Sequence, residues 1–298
     1  MSLNGATIGW IGAGKMGGPM SRRLVAAGAD VAVHDPVKVN VDAVVAAGAR
    51  AASSNRDAAV GASIVVSMIP NDAVLRAVTI EDEGIFGNLA PGTIYVDMST
   101  VSPEVSAQVA AAAETAGIRH VRATVSGSTI LAEAGKLTVM VSGPKDAADE
   151  CAALFDAMSA HHFYLGAEEQ ARYLKLVINL LVGTSAAVLA EALTLGRKGG
   201  LDWAQMIDVI GASVAASPFI EYNVAPLKAR DFSPMFSTEQ MLKDSRLISE
   251  AGESAGVPLA IGGAMLRTFQ DSSEAGYGED NLTAAIKLLE QRAGLDDL

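Results

Sequence analysis

The 298-residue chain is 50% hydrophobic and 19% charged, the make-up of a globular protein long enough for two domains. Its 34 acidic and 22 basic side chains leave a formal charge of -12, which sets it against the phosphates of a polynucleotide and against an anionic lipid surface. A single cysteine, Cys151, excludes an intrachain disulfide; it reads as a small core residue in a protein of a reducing, cytoplasmic setting.

In chain order, short β-branched runs alternate with alanine-rich stretches through the first half. Strands are predicted over 7–11, 31–34, 64–68, 93–97, 120–123, 138–141 and 162–165, runs apolar enough to be covered on both faces. Helices are predicted between most of them, at 16–27, 37–47 and 104–116, the last opened by Ser102 as cap and Pro103 in the first turn. Strand following helix in this way predicts a parallel, doubly wound sheet. From about Gly166 the strand signal stops and helical periodicity takes over at 168–195, 202–210, 238–255, 258–273 and 281–292, with Asp202 and Gln205 spaced for a capping box. The apolar stretch 174–190 contains Lys175, Asn179 and Thr184 and falls short of the roughly 20 apolar residues that span a bilayer, so it predicts an interior helix and no membrane role. The apolar start at 6–11 contains Gly9 and has no small-residue cleavage site, so no secretory leader is expected.

The first predicted strand feeds Gly12-Ala13-Gly14-Lys15-Met16-Gly17 and then a helix, which is G-x-G-x-x-G in the context that gives it meaning. Gly12 permits the tight turn, Gly14 lets backbone N–H groups reach a pyrophosphate, and Gly17 lets helix and strand pack closely. The second strand leads to Asp35, close to the roughly 20-residue distance expected of an acid that accepts ribose hydroxyls. A carboxylate there would repel a 2′-phosphate, so NAD is favoured over NADP, with Lys38 as the nearby basic group that could favour the phosphate. The expected fold is thus α/β, with a Rossmann-type doubly wound dinucleotide-binding domain over 1–166. An all-helical domain over 167–298 is expected to serve substrate and subunit contacts.

Further residues give the chain a resemblance to the β-hydroxyacid dehydrogenases, the family of 3-hydroxyisobutyrate dehydrogenase and tartronate semialdehyde reductase. The stretch from Gly9 to Gly17 with Pro19-Met20 is similar to that family's form of the glycine fingerprint. Met68-Ile69-Pro70 and Asp97-Met98-Ser99-Thr100 look like its cofactor-side loops, which implies contacts from Met68, Pro70 and Thr100. Val125-Ser126-Gly127-Ser128 resembles the substrate loop, usually Asp-Ala-Pro-Val-Ser-Gly-Gly, with Arg122 in place of the Asp, Thr124 of the Pro and Ser128 of the second Gly. Its hydroxyls and backbone N–H groups suit a carboxylate.

Lys175 and Asn179 lie four apart on the apolar helix and therefore share a face, with Gly183 further along. A lysine buried there needs a reason, and proton transfer supplies one, since burial eases loss of the proton. The resemblance implies the same roles, Lys175 as general acid/base and Asn179 as its partner on the substrate oxygen. Met241-Leu242-Lys243-Asp244 resembles a later element whose lysine reaches cofactor and substrate, and a second cation there would ease deprotonation of Lys175. Gly276 to Asn281 looks like the closing glycine motif and is read as structural. His34, His120, His161 and His162 form no metal-ligand spacing with Cys151, so no metal is expected.

The expected activity is hydride transfer between NAD(P) and a small 3-hydroxy acid or its semialdehyde. Ser126, Gly127 and Ser128 would hold the carboxylate in an interdomain cleft, with Lys175 moving the proton. A homodimer or homotetramer is expected from the greasy helix. An NADPH-dependent imine reductase and a catalytically silent dinucleotide-binding protein are the alternatives. Arg122 or Arg230 are candidates to recognise a second anionic group.

Overall fold

The computed structural model describes residues 3–295, and the chain divides into two compact units, Met1–Lys175 and Leu176–Leu298. The strands are β1 (Thr7–Ile11), β2 (Asp30–His34), β3 (Arg50–Ala51), β4 (Ile64–Ser67), β5 (Ile94–Asp97), β6 (Arg119–Ser126), β7 (Leu137–Ser142) and β8 (Ser159–Tyr164). They form one sheet in the order β3-β2-β1-β4-β5-β6-β7-β8. Between them run α1 (Gly17–Ala26), α2 (Lys38–Val45), α3 (Asn55–Ala59), α4 (Asp72–Thr79), α5 (Pro103–Thr115), α6 (Thr129–Glu133), α7 (Lys145–Glu150) and α8 (Ala152–Met158).

Helices cover both faces because the central strands are apolar at successive positions. Alternation along a strand sends Val66 and Val96 into one layer with Trp10, Met20, Leu24 and Val121, and Val65 and Tyr95 into the other with Leu75, Val105 and Val109. Each such side chain removed from water contributes about 1.5–3 kcal/mol. The expectation of a wholly parallel sheet is corrected at one place: β7 runs antiparallel to β6. The connection over 127–136 is shorter than the dozen or more residues that a parallel crossover needs, so the chain turns back instead. Cys151 is fully buried in the first layer, and burial, with Glu150 adding to it, pushes its thiol up to about 12. It is an inert core residue, as its surroundings in the sequence predict.

The boundary between the units falls within α9 (Gln170–Lys198). The second unit adds α10 (Trp203–Gly211), α11 (Pro218–Lys228), α12 (Thr238–Ala255), α13 (Ala260–Ser272) and α14 (Ala285–Arg292), and no strand among its described residues. By length and composition α9 could cross a membrane, but Ala186, Leu189, Ala190 and Leu193 are packed into the apolar clusters of this unit, as in a core helix. A Cβ on Gly183 would stand 2.5 Å from Met265 Sδ and 2.9 Å from Met241 Cε, so the glycine is what lets α12 and α13 close on α9. Asp202 accepts from the Gln205 N–H at 2.8 Å, which is one half of the capping box expected there. Both halves of a capping box are found at a pair the sequence reading passed over, Ser237 and Gln240.

Candidate active site

The glycine turn joins β1 to α1 at the carboxyl end of the sheet. Gly12 has φ +90°, and a Cβ on it would lie 2.3 Å from Met68 O, so no other residue fits. A Cβ on Gly14, by contrast, would meet nothing within 4 Å, leaving the open cradle that a pyrophosphate needs. The N-cap of α1, Met16, has no side-chain cap and the first turn has no acid, so the positive end of this helix faces that space unmasked. Lys15 is exposed beside it. These residues fit a dinucleotide.

Asp35, just past β2, accepts from Ala13 N at 2.7 Å, Val37 N at 2.8 Å and Asn40 Nδ2 at 3.0 Å. Three of the roughly four acceptor sites of its carboxylate are thereby filled, and the group is fixed against the turn. Lys38 is 85% exposed and its Nζ lies 2.6 and 2.7 Å from the two Asp42 oxygens, so its charge is matched within α2.

Met68 and Pro70 follow β4, and Thr100 follows β5, at the same sheet edge as Gly12. Strand β6 runs four residues past the Asp97–Arg122 pairing, roughly 13 Å, and so carries Ser126 beyond the end of β5, where it pairs with Thr138 of β7. Gly127, with φ +135°, then turns the chain, and Ser128 becomes the N-cap residue of α6 without a side-chain cap bond. Its hydroxyl is not committed to the helix it starts.

The first turn of α9 is tied to this edge from several directions. Thr124 Oγ1 donates to Ala171 O at 2.9 Å, and Ser142 Oγ donates to Glu168 O at 2.6 Å while accepting from Ala171 N at 3.2 Å. Arg122, 5% exposed, pairs with Glu169. Arg172 and Asp97, both fully buried, form a second ion pair at 2.5 Å. The substrate-loop departures Arg122 and Thr124 are therefore spent on anchoring α9, and Arg122 is not a free recogniser of anions. Lys175 sits one turn past Arg172 on this anchored segment. It is half-buried rather than enclosed, a correction to the buried lysine that the apolar sequence predicts, because α9 is not covered all round at this level: Tyr173 and Val177, on another face of the helix, also reach solvent.

In the second unit, Asn179 is 4% exposed and its Nδ2 donates to Asp244 Oδ2 at 2.6 Å. A carboxylate only accepts, so the amide has one orientation, with Oδ1 and the second N–H left for other partners. Lys243 Nζ lies 2.9 Å from Asp244 Oδ1, its neighbour in the chain, so the Lys-Asp element is closed on itself as an ion pair on α12. Arg230, the other candidate for a second anion, is engaged by Glu290 through both terminal nitrogens at 2.8 and 2.6 Å. The sequence reading missed Asp97, Arg172, Glu169 and Asp244 as partners; a charged side chain within an apolar helix was the only signal for Arg172.

Against the ion pairs lies His120, 3% exposed, tilted over Tyr95 with ring centroids 5.4 Å apart, and with no hydrogen-bond partner for either ring nitrogen among the described residues. Burial, and then the charges of Arg122 and Arg172, hold its proton affinity well below the usual 6.5. The folded state keeps it neutral while the unfolded chain protonates it, so its presence is neutral for stability above pH 6.5 and costs stability as pH falls below that, by about 1.4 kcal/mol per unit. The gain in melting temperature of His120→Phe over the parent should therefore be larger at pH 5.5 than at pH 8. An equal gain at the two pH values would count against this.

Among the described residues no group of three or more His, Cys, Asp or Glu side chains is arranged to hold a metal. An open cleft of about 540 Å³, lined by Val60, Asn88, Arg119 and Glu150 among others, lies at the amino ends of β4 and β5, opposite the glycine turn, and belongs to no part of this site.

A doubly wound unit with this glycine turn is the architecture of a dinucleotide-binding domain. Residues 7–166 match the family model described as the NAD binding domain of 6-phosphogluconate dehydrogenase, and 170–289 that described as NAD-binding of NADP-dependent 3-hydroxyisobutyrate dehydrogenase. The chain is 35% identical over 289 residues to 2-(hydroxymethyl)glutarate dehydrogenase of Eubacterium barkeri, with 97% of this chain and 96% of the relative covered. It is 34% identical over 294 residues to NAD-dependent L-serine dehydrogenase of Pseudomonas aeruginosa, with 96% and 99% covered. The crystal structure of 3-hydroxyisobutyrate dehydrogenase from Salmonella typhimurium superposes with a TM-score of 0.87 at 27% identity, covering 94% of this chain and 99% of that one. The chain belongs to the β-hydroxyacid dehydrogenase family, and its first unit is an NAD(P)-binding domain.

Proposed function

We propose that the protein oxidises a small 3-hydroxy acid, or reduces the corresponding semialdehyde, with Lys175 as general acid/base. The observation that carries this is the placement of Lys175 one turn past a helix start that is bonded to β5, β6 and β7, the strand edge that also presents Thr100 and Ser126. When bound, the nicotinamide accepts or supplies the hydride. Ser126 and the backbone N–H groups of Gly127 and Ser128 hold the substrate carboxylate, and Asn179 holds the reacting oxygen. Lys175 takes the hydroxyl proton during oxidation and returns it during reduction. Asp35 makes NAD the better cofactor, since its carboxylate repels a 2′-phosphate and Lys38 is already paired.

The test is an NADH absorbance screen of 3-hydroxyisobutyrate, L-serine and 2-(hydroxymethyl)glutarate, with NAD and NADP in parallel. Turnover of at least one acid with a higher kcat/KM for NAD is expected. No turnover of any hydroxy acid, with turnover of a cyclic imine and NADPH, would refute the reading.

The solvent-facing stripe Val177, Leu181, Val188 and Leu195 on α9, each more than half exposed, is in this reading covered by a second copy of the chain. Sedimentation velocity should show no monomer at micromolar concentration, and a monomer there would remove the proposal.

A further inference from the structure

We infer that the buried Arg172–Asp97 pair is a positioning device for the reaction, fixing Lys175 against the two strand-end loops on the dinucleotide side; this rests on the role proposed for Lys175. The argument begins with cost. Both side chains are fully buried, and an ion pair taken wholly out of water is often no more stabilising than apolar side chains of the same volume. Stability alone is then a weak reason for the pair.

What the pair does that apolar residues could not do is hold three elements in fixed directions. From one planar guanidinium, Nη2 donates to Asp97 Oδ2 at 2.5 Å, Nη1 to Ser99 O at 2.7 Å, and Nε to Ser106 Oγ on α5 at 3.0 Å. Asp97 Oδ1 in turn accepts from Ser67 Oγ at 2.7 Å and from Ser99 Oγ at 2.6 Å. Ser99 Oγ accepts from Ile69 N at 2.9 Å. The network therefore takes in both Met68-Ile69-Pro70 and Asp97-Met98-Ser99-Thr100, the loops at the sheet edge shared with the glycine turn.

Its remaining end is the helix. Lys175 follows Arg172 by three residues, about 4.5 Å along the axis and on a neighbouring face. A shift of the guanidinium is thus a shift of the proton-transfer group relative to the loops at the sheet edge of the glycine turn, where the dinucleotide would be held. Displacements of about 1 Å in a reacting geometry cost on the order of 100-fold in rate.

The test compares the full-length parent with Arg172→Lys, the apolar double variant Arg172→Met with Asp97→Leu, and Lys175→Ala. Each is assayed with NAD and either 3-hydroxyisobutyrate or L-serine, whichever the parent turns over faster, at a temperature well below every unfolding midpoint. Dinucleotide affinity is read separately by tryptophan fluorescence quenching. The double variant should stay folded and bind NAD within about threefold of the parent while kcat falls by about 30- to 100-fold. Arg172→Lys, which keeps the charge but lacks the fork, should show a smaller loss in kcat with KM little changed. A folded double variant with parental kcat overturns the inference; if that variant does not fold, a folded Arg172→Lys with parental kcat overturns it equally. Retained turnover in Lys175→Ala would instead remove the proposed function, a different failure with a different signature.

Discussion

Lys175→Ala is expected to lower kcat by about 10²–10⁴-fold, the usual worth of a positioned acid/base, and to leave NAD affinity within about threefold. The two effects separate because the parts that fit the dinucleotide, the Gly12–Gly14 turn, the uncapped start of α1 and Asp35, lie on β1, α1 and the end of β2, and Lys175 lies on α9. Lys175→Arg sharpens the test. A guanidinium keeps the positive charge but stays protonated throughout the working range, so it can attract a substrate anion without exchanging a proton. If proton transfer is the role, the arginine variant should be nearly as slow as the alanine variant. Arginine retaining activity within tenfold of the parent would show that the charge, and not the proton, is what the reaction uses. Steady-state rates together with fluorescence titration of NADH give both numbers.

Local requirements were the legible part of this chain. The glycine turn could be read directly because Gly12 must adopt a backbone angle that only glycine tolerates and Gly14 must leave space, and such needs are written in residue type. The central strands were legible because they are apolar on both faces, while β3, two residues long and beginning with Arg50, has no pattern to detect. Helix α11 is absent from the predicted elements although its start is marked in the sequence, with Pro218 in the first turn behind the Ser217 cap, where its missing N–H costs nothing. The reversal of β7 depended on the length of a connection, not on hydrophobic pattern. In the site, the four-residue spacing of Lys175 and Asn179 could be read from helix geometry alone. The partners could not: Arg172 meets Asp97 across 75 residues, Asn179 meets Asp244 across 65, and Arg122 meets Glu169 across 47. The expectations for Arg122 and Arg230 as recognisers of a second anion failed for that reason, since each finds its carboxylate only in the folded chain.

The same long-range pairing governs the stability of the helical unit. Glu290, on α14, is 1% exposed and meets two guanidiniums, Arg197 Nη1 at 2.5 Å and Arg230 at 2.8 and 2.6 Å. Arg230 has φ +54°, a strained conformation for a residue with a side chain, and its guanidinium lies 5.0 Å from the Trp203 ring and 5.6 Å from that of Phe232. Lys287, 4.6 Å from the Phe232 ring, has its own carboxylate, Asp280 at 2.8 Å. Burial would push the Glu290 carboxyl up, but hydrogen bonds from Arg230 and Arg197 outweigh it and hold the group below the usual 4.5. Its contribution is therefore present above that pH and is lost as pH falls through the lowered value. Glu290→Ala removes the carboxylate that Arg197 and Arg230 share, and removal of one partner from a buried pair costs about 3–5 kcal/mol. Urea unfolding at pH 7.5 should show a loss of that size at an unchanged m-value, and Glu290→Gln, which keeps the shape and one acceptor, should lose less. A loss under about 1 kcal/mol in the alanine variant would mean that Arg197 and Arg230 reach water once released, and that α14 is held by its apolar contacts, Ala285 and Ile286, instead.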